Sequence, residues 1–410
     1  MTRLEQLIEE LCPNGVKYYT LNSICNVYDG THQTPQYTES GIKFASVENI
    51  ADPYATEKYI SVSDYEKYKI KPQQNDLLMT RIGSIGVCTV LESDEPLAYY
   101  VSLALLRPNN EVLNSRYLKY AIESLHCRKE LRKRTLVNAV PIKINMGDIG
   151  KITLPVPPLP VQSEIVRILD NFTELTAELT AELTARKQQY EYYRDSLLTF
   201  ADDVPRVELS TVIKSLNTGL NPRQFFKLNT DDATNWYVTI REIQNNTVVF
   251  SEKTDRINNE ALRLCNNRSN LEVGDVLFSG TGTIGETAII DEPPLNWNIK
   301  EGVYTIKPIQ EKLNSRFLMY LLHTTLIRTA IMKKVAGGTV KSIPMGEMKK
   351  LTIPLPTIEE QETIVALLDR FDTLCNDMSA GLPAEIEGRR KQYEYYRDKL
   401  LTFKEKEKQR

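Results

Sequence analysis

The sequence has little of the material that metal sites and disulfide frameworks require. Its 410 residues include six cysteines and three histidines, and no two cysteines form a C-x-x-C pair. This spacing argues against a zinc knuckle and against a disulfide framework. We expect His32, His126 and His323 to be surface or packing residues, and we predict no metal site and no catalytic residue.

Long apolar runs are also missing. No stretch reaches the roughly 18 to 20 residues that a membrane-spanning helix needs. The first residues, MTRLEQLIEELCPNG, predict a short amphipathic helix ended by Pro13 and Gly15, without the apolar region of a signal peptide. With 26% charged and 41% hydrophobic residues, the composition is that of a globular protein, and we expect a cytoplasmic location. The length predicts several domains.

One segment occurs twice. Tyr190–Phe200 reads YEYYRDSLLTF and Tyr393–Phe403 reads YEYYRDKLLTF, so ten of the eleven positions are identical. KITLP at Lys151 and KLTIP at Lys350 lie 199 residues apart, and the matched pairs that precede them share this spacing within one residue, whereas the two YEYYRD segments lie 203 residues apart. Such a repeat indicates a chain built from two similar halves. Each half has a variable part followed by a better-matched part.

The better-matched part predicts a long helix in each half. Prolines give it an extended entry, and the apolar residues that follow are spaced by three and four. In the first half the helix is predicted over residues 162–200 and contains TELTAELTAELTA, from Thr173 to Ala185. This tandem of the word TAEL is interpreted as a helical spacer. In the second half, Gly381-Leu382-Pro383 predicts a break before the helix resumes.

The variable parts, residues 16–150 and 204–350, predict an α+β domain that is present twice. Short strand-like runs such as Asp76–Thr80 and Asp275–Ser279 alternate with turns. Each part closes with a predicted helix, from Ser115 to Arg134 and from Ser315 to Lys334. The predicted segments are 1–155 (N-terminal helix and first variable domain), 156–203 (central helical region), 204–355 (second variable domain) and 356–410 (C-terminal helical region).

Positive charge is concentrated at the same place in both halves. The whole chain has 51 basic and 54 acidic residues, which by itself indicates no nucleic-acid partner. From Arg116 to Lys151, however, there are nine basic and three acidic residues, and from Arg316 to Lys350 there are seven and one. The net charge is therefore +6 in each stretch. A single run of this kind usually marks a solvated helix face, but two at matching positions favour two phosphate-facing surfaces.

Two motifs suggest catalysis at first sight. Gly280–Gly285 reads GTGTIG and fits the dinucleotide fingerprint G-x-G-x-x-G. The first half reads RIGSIG from Arg81, without the first glycine, and strand-like residues follow both copies where a phosphate-binding helix would be needed. We interpret both as tight turns between strands. Asp52-Pro53-Tyr54 and Asp291–Leu295 also fail to match the N/D-P-P-Y motif of base amino-methyltransferases.

The proline entry, the TAEL words and the doubled QYEYYRD-x-LLTF ending resemble the specificity (S) subunit of type I restriction-modification systems. The DGTHQTP segment at Asp29–Pro35 and the GTGTIG turn are similar to target-recognition domain patterns of that family. The resemblance covers the whole chain. It implies an α+β fold with two pseudo-symmetric target-recognition domains separated by two long antiparallel helices that form a coiled coil.

The same resemblance implies a non-catalytic subunit in phage defence. Each target-recognition domain would read one half of a bipartite double-stranded DNA site through the major groove, and the helices would set the half-site spacing. Partners would be two modification (methyltransferase) subunits and the restriction (translocase/endonuclease) subunits. Adenosylmethionine would be bound by the partner methyltransferase and not by this chain. Only the first helix has TAEL words, so the spacing cannot be read by counting them.

Candidate site residues follow from this assignment. Base readout is expected from polar turns: Thr31, His32, Gln33, Thr34, Arg81 and Ser84 in the first half, and Asn217, Asn221, Arg223, Gln224, Thr281 and Thr283 in the second. Phosphate contacts are expected from Lys129, Arg132, Lys133, Arg134, Lys143, Lys333, Lys334 and Lys341. Partner docking is expected from Tyr190, Tyr193, Arg194, Tyr393, Tyr396 and Arg397.

Two alternative functions stay open at this point. The chain could be a scaffold that binds only proteins, or a methyltransferase with an unrecognised active site. DNA binding with and without a methyltransferase subunit would distinguish the first, and adenosylmethionine binding by the isolated chain would distinguish the second.

Overall fold

A computed structural model describes residues 2–338, 340–376 and 381–406, except for the side chains of Arg223, Gln224 and Asn376. The chain forms two compact units, Met1–Glu178 with Glu387–Arg410, and Leu179–Ile386. Both units contain helices and strands, which confirms the predicted α+β class. The predicted division into four segments stays a prediction, because the units are divided differently and each one contains parts of both helical regions.

The helices begin and end as follows: α1 Arg3–Leu11, α2 Val62–Tyr65, α3 Ser115–Glu123, α4 Leu125–Arg134, α5 Met146–Ile149, α6 Leu159–Leu197, α7 Pro222–Phe225, α8 Asn259–Ser269, α9 Ser315–His323, α10 Thr325–Lys333, α11 Met345–Lys349, α12 Ile358–Asn376 and α13 Leu382–Leu400. The predicted N-terminal helix is confirmed as α1. Gly381 forms a bend directly before α13, which confirms the predicted break at this glycine, and residues 377–380 lie outside the described part of the structure.

The strands of the first unit are β1 Tyr18–Thr20, β2 Cys25–Asp29, β3 Tyr37–Thr38, β4 Ile42–Ala45, β5 Tyr59–Ile60, β6 Leu77–Thr80, β7 Cys88–Val90, β8 Leu97–Tyr99, β9 Leu103–Pro108 and β10 Thr153–Pro155. Those of the second are β11 Arg206–Glu208, β12 Ile213–Thr218, β13 Asn235–Val238, β14 Ile243–Gln244, β15 Thr247–Val248, β16 Arg256–Ile257, β17 Val276–Ser279, β18 Thr287–Ile289, β19 Trp297–Ile299, β20 Val303–Pro308 and β21 Thr352–Pro354.

The two units have the same sheet at their centre. In the first unit the order is β2-β9-β6-β7, and in the second it is β12-β20-β17-β18, with every neighbouring pair antiparallel. The registers also correspond, since Leu77 pairs with Leu106 and Val276 pairs with Ile306. Each unit adds a second sheet with one parallel pair, β4 with β8 and β13 with β19. The internal repeat therefore reflects a duplicated fold.

The closing helix of each variable part differs from its prediction. A single helix was expected from Ser115 to Arg134, but Ser124 interrupts it with extended backbone angles and caps α4 by accepting a hydrogen bond from Cys127 N–H. Thr324 divides the equivalent helix of the second unit in the same way. Serine and threonine side chains are favoured at this position because they satisfy a free N–H of the first turn. The prediction of uninterrupted helices is corrected accordingly.

The glycine motifs are turns between strands, as interpreted from the sequence. RIGSIG connects β6 to β7, and GTGTIG connects β17 to β18. Gly83 and Gly282 both have a φ of +81°, a conformation that residues with a side chain rarely adopt.

The helix α6 runs through the TAEL words without interruption. It has 39 residues, which corresponds to about 58 Å. Its first part, up to Glu178, belongs to the first unit, and the rest belongs to the second. Thr176 and Thr184 donate hydroxyl hydrogen bonds to the carbonyls four residues earlier, at 2.8 and 2.9 Å. The predicted helical spacer is confirmed as a helix.

A buried glutamine attaches each variable part to its long helix. In α6, Gln162 accepts the N–H of Asn114 at 2.9 Å and donates to the carbonyl of Val112 at 2.8 Å. In α12, Gln361 accepts the N–H of Asn314 at 2.9 Å and donates to Lys312 at 2.9 Å. Both glutamine side chains are fully buried. A buried amide without these partners would carry a large desolvation cost, so the contacts fix the start of α3 and of α9.

An aspartate adds a second attachment in each unit. Asp170 of α6 accepts hydrogen bonds from the Tyr120 hydroxyl at 2.5 Å and from the Arg116 guanidinium at 2.8 Å. In the second unit, Asp369 accepts from the hydroxyl of Tyr320 at 2.6 Å and from the guanidinium of Arg316 at 3.2 Å.

The main cores lie between the four-stranded sheets and these helices. In the first unit, Val161, Ile165 and Leu169 of α6 pack against residues of α3 and of the sheet. In the second unit, Leu368 of α12 and Tyr190 of α6 pack in the equivalent place. Among the described residues, the helices are too short or too polar to cross a bilayer.

A histidine of the second unit predicts a pH-dependent stability. His323 lies at the end of α9, with Nε2 2.6 Å from the Thr287 hydroxyl, and burial together with the positive charges of Arg328 and Arg194 lowers its pKa to about 4. The folded unit keeps the imidazole neutral, whereas the unfolded chain takes up a proton below pH 6.5. The contribution of the neutral imidazole to the free energy of unfolding is therefore fully present above pH 6.5. It declines as the pH falls toward 4, and the loss is about 2 kcal/mol at pH 5.

Denaturant unfolding at pH 7 and pH 5 measures this difference. Trp236 and Trp297, the two tryptophans of the chain, both lie in the second unit, so their fluorescence follows that unit alone. His323→Gln should remove most of the pH dependence. If the variant lost as much stability between pH 7 and pH 5 as the unaltered protein does, the pH dependence would not come from His323.

Candidate nucleic-acid interface

Three loops of the first unit meet at one end of its four-stranded sheet. They are residues 29–34 at the end of β2, residues 81–86 between β6 and β7, and residues 136–143 after α4. Gly83 donates its N–H to the carbonyl of Ile142 at 2.9 Å, which joins the last two loops. The first loop is attached through Asp29, whose carboxylate accepts a hydrogen bond from Arg81 at 2.7 Å. The predicted polar turns of this unit are therefore close together.

Arg81 holds these loops together from inside the unit. Only 7% of the residue is exposed. Besides Asp29, its guanidinium donates to the carbonyls of Val101 and Ile144, at 3.3 and 3.4 Å. Base contact by Arg81 would require these hydrogen bonds to break, so the structure favours a positioning role over the predicted base contact. Its role is to position the loops.

The second unit joins its equivalent loops without an arginine. Gly280 stands where the first unit has Arg81, and the ring of Tyr304 occupies the free space, since a Cβ on Gly280 would lie 2.3 Å from that ring. The Tyr304 hydroxyl donates to the carbonyl of Ile343 at 2.6 Å, which is the counterpart of the bond from Arg81 to Ile144. Two different side chains therefore hold the same loop to the same turn.

The other readout candidates differ in exposure. His32, Gln33, Thr34, Ser84 and Thr283 are exposed, whereas Thr31, Asn217, Asn221 and Thr281 are half-buried. The side chains of Arg223 and Gln224 lie outside the described part of the structure. His32 Nε2 lies 2.9 Å from the Asp29 carboxylate, so the same aspartate orients an exposed histidine and the buried arginine. Base contact by these residues stays a prediction.

The predicted phosphate contacts differ in whether a carboxylate already pairs with them. Glu130 pairs with Lys133 at 3.0 Å and with Arg134 at 2.7 Å, and Glu347 pairs with Lys334 at 2.8 Å. Among the predicted phosphate contacts, the exposed cations that have no ion pair within the described residues are Lys129, Arg132, Lys143, Lys333 and Lys341. These five are the stronger candidates, because no intramolecular contact has to be broken before a phosphate binds.

The repeated YEYYRD segments hold the basic helices in place. In the first unit, the carboxylate of Asp398 accepts the N–H of Leu125, the first residue of α4, at 2.9 Å. In the second, Asp195 accepts the N–H of Thr325, the first residue of α10, at 3.1 Å. A carboxylate here satisfies a free N–H and interacts favourably with the helix dipole. The basic residues lie at the opposite end of each helix.

Three of the residues predicted to dock a partner have a structural role inside their own unit. Tyr190, Arg194 and Arg397 are buried inside their own units. Each arginine forms an ion pair with the aspartate that follows it, at 2.8 Å for Asp195 and 3.1 Å for Asp398. The physical reason is that the apolar face of each helix end completes the core of its unit, so these side chains are not available to a partner.

The remaining tyrosines are more accessible. Tyr193 stacks on Phe371 at 5.7 Å between ring centroids, and Tyr396 stacks on Phe172 at 5.5 Å. Tyr393 is half-buried against Tyr120. Docking by Tyr193, Tyr393 and Tyr396 stays a prediction. The most exposed tyrosines of the two segments are Tyr192 and Tyr395.

The described residues contain no group of three or more His, Cys, Asp or Glu side chains placed to hold a metal ion. The cysteines are free thiols and all six are buried. Sequence reasoning missed Asp29, Asp195, Asp398 and Tyr304. For Asp195 and Asp398 a signal was present, because the aspartate is identical in both copies of the repeated segment. Asp29 and Tyr304 are not matched by an identical residue in the other unit, so the repeat could not indicate them.

The chain matches a known protein family over most of its length. The family described as the type I restriction modification DNA specificity domain matches it twice, at residues 13–186 and 202–388. The two matches correspond to the two halves of the internal repeat.

Curated relatives agree with this match. A Haemophilus influenzae protein that carries the name of a type I restriction enzyme specificity subunit is 33% identical over 312 residues, 72% of this chain and 73% of the relative. The Escherichia coli EcoR124I/EcoR124II specificity subunit is 38% identical over 267 residues, 62% of this chain and 63% of the relative.

Solved structures support the fold. One chain, from work on complex assembly and conformational transition of the type I R-M system, superposes with a TM-score of 0.62 at 14% identity, covering 95% of this chain and 98% of the other. The type I restriction-modification S subunit from M. genitalium gives a TM-score of 0.51 at 13% identity, covering 94% and 96%.

The burial of Arg81 predicts different effects for two residues of one turn. Arg81→Ala leaves Asp29 without its guanidinium partner and should lower the free energy of unfolding by about 2 kcal/mol. The neighbouring Ser84 is exposed, so Ser84→Ala should change stability by less than about 0.5 kcal/mol. Denaturant unfolding followed by far-ultraviolet circular dichroism measures both. An Arg81→Ala protein of unchanged stability would contradict the positioning role.

Proposed function

Since this chain belongs to the type I restriction-modification DNA specificity family, we propose that its two units each read one half of a bipartite DNA site. Reading takes place through the major groove, with exposed polar loop residues at base edges and unpaired cations on phosphates. The two loop sets differ in sequence, so the two half-sites differ as well. As a specificity subunit, the chain has a non-catalytic role.

One observation carries this proposal. In both units the end of the four-stranded sheet presents the same polar turn beside a basic helix, and five of the exposed cations there have no acidic partner in the described structure. An arrangement kept in both units while its side chains differ is suited to reading two different sequences. The chain as a whole has a net negative charge, so these two clusters of basic residues differ from the rest of it.

The partners follow from the same proposal. Two modification (methyltransferase) subunits dock on the chain and bring adenosylmethionine, and restriction subunits join that complex in the cytoplasm. Tyr192 and Tyr395 support two equivalent docking surfaces, because both are exposed at the same position of an identical segment. Exposed tyrosines of this kind contribute strongly to protein interfaces. The identity of the two segments favours two copies of one partner.

Mapping methylated adenines in genomic DNA of cells that carry the system tests the proposal. The expected result is a motif with two different half-sites separated by a gap of fixed length. A Ser84→Ala variant should change the bases preferred in one half-site of the methylated motif only. Thr283→Ala should change the bases preferred in the other half-site. The absence of a methylated motif, or a motif without a gap, would contradict the proposal.

The unpaired cations predict a change in salt dependence. DNA binding by the methyltransferase complex should weaken steeply with salt because counterions are released. Replacing Lys129, Arg132 and Lys143 by Gln should reduce the slope of log K against log salt by about 2 to 3. Lys58 and Lys67 are lysines of the same unit that already pair with Glu48 and Asp64. Their Gln variants are the matched control, and an equal change in both sets would remove the basic helix from the interface.

The continuous helix predicts a change of spacing. Deleting Thr180–Leu183, one TAEL word, should shorten α6 by about 6 Å. The modified complex should accept DNA with a shorter gap and keep both half-sites, as measured by binding to duplexes of graded gap length. A deletion that changes a half-site sequence and leaves the gap unaltered would contradict the spacer role.

A further inference from the structure

The loop after α4 exposes an unusual number of aliphatic side chains. We refer to residues 136–142 as the apolar tip. Leu136, Val137, Val140 and Ile142 are all exposed, with 62% of Val137 and 100% of Val140 accessible to solvent. Single exposed aliphatic residues are normal on protein surfaces, but a cluster of them marks a contact site.

The tip is held in a defined position. Leu136 donates its N–H to the carbonyl of Lys143 at 2.7 Å, which closes the loop. The C-terminal end of the tip is bonded to the glycine turn, because Gly83 donates its N–H to the carbonyl of Ile142. Just beyond the tip, the guanidinium of Arg81 donates to the carbonyl of Ile144. The exposed valines are therefore presented by a loop with backbone bonds at both ends, next to the polar turn that contains Ser84.

The charges around the apolar tip indicate what it contacts. Arg132 and Lys143 flank it, are exposed, and have no ion pair in the described structure. A cationic border around an aliphatic centre complements a duplex, where phosphates border a groove floor. The apolar group on that floor is the C5-methyl group of thymine, which the major groove exposes.

We propose that the apolar tip enters the major groove and that Val137 and Val140 contact thymine methyl groups of one half-site. This inference rests on the proposed function and names the chemistry that the first unit recognises. Polar turn residues then read hydrogen-bonding edges, and the tip distinguishes thymine from cytosine by its methyl group.

The second unit has a smaller version of the same feature. Its loop after α10 is bonded to the glycine turn through the N–H of Gly282 and the carbonyl of Lys341, at 2.9 Å. Val340 is 61% exposed beside the unpaired Lys341. Gly337 has a φ of +114°, and a Cβ on it would lie 2.5 Å from the carbonyl oxygen of Val340. With fewer aliphatic side chains around it, Val340 should contribute less methyl contact to the other half-site.

Replacement of thymine by deoxyuridine tests this inference directly, because it removes the methyl group and keeps the base pair. The complex of the chain with its modification subunits is titrated with duplexes in which one half-site at a time contains deoxyuridine. Each contacted methyl group should contribute about fourfold to affinity, the factor expected for burial of one such group. The half-site read by the first unit should show the larger loss.

Variants assign the loss to the tip. Val137→Ala and Val140→Ala should weaken binding to the thymine duplex but remove the difference between thymine and deoxyuridine in the same half-site. Val340→Ala should remove the difference between thymine and deoxyuridine in the other half-site only. Val62 is a similarly exposed valine of α2, at 58%, and Val62→Ala should retain the full difference.

Several outcomes would overturn the inference. They are a first half-site without thymine on either strand, equal affinity for thymine and deoxyuridine, or tip variants that keep the difference. Loss of modification-subunit assembly at unchanged DNA affinity would instead make the tip a protein contact. The proposed function is checked separately, because it requires only that the unaltered complex prefers its mapped site to a scrambled duplex.

Discussion

A carboxylate at the beginning of each basic helix is the contact on which the rest of the arrangement depends. Asp398 and Asp195 lie in the two repeated segments, and each accepts the first N–H of the helix whose far end carries the phosphate candidates. The buried arginine beside each aspartate neutralises it inside the unit. The repeated segment is therefore a structural part of the proposed reading surface, and its exposed tyrosines lie on the same helix turn as the aspartate that binds the basic helix.

Around this contact, both units use the same fixed frame and vary what it supports. The frame consists of a buried glutamine, an aspartate that binds a tyrosine and an arginine, and the capped basic helix. The supported loops are held by chemically different means, with Arg81 in one unit and Tyr304 in the other. Rigid support with variable loops is the arrangement expected where the loops determine what is bound.

The sequence was sufficient for the features that the repeat and strong local signals encode. The duplicated fold, the long α6, the interruption before Leu382 and the glycine turns were all predicted correctly, since periodicity, proline and glycine act locally. Ser124 was overlooked because a serine inside an apolar pattern does not by itself reveal a cap. The burial of Arg81, Tyr190, Arg194 and Arg397 could not be predicted, because residue type suggests binding, whereas burial is decided by packing partners far away in the chain.

The contacts of Gln162 and Gln361 have a consequence for which variable parts the long helices can hold. Each binds only backbone atoms of its variable part, namely an N–H and a carbonyl at the start of the closing helix. Attachment of this kind does not depend on side-chain identity in the attached part. A different variable part would therefore make this contact wherever it offers an N–H and a carbonyl at the same two places, whatever its side chains are.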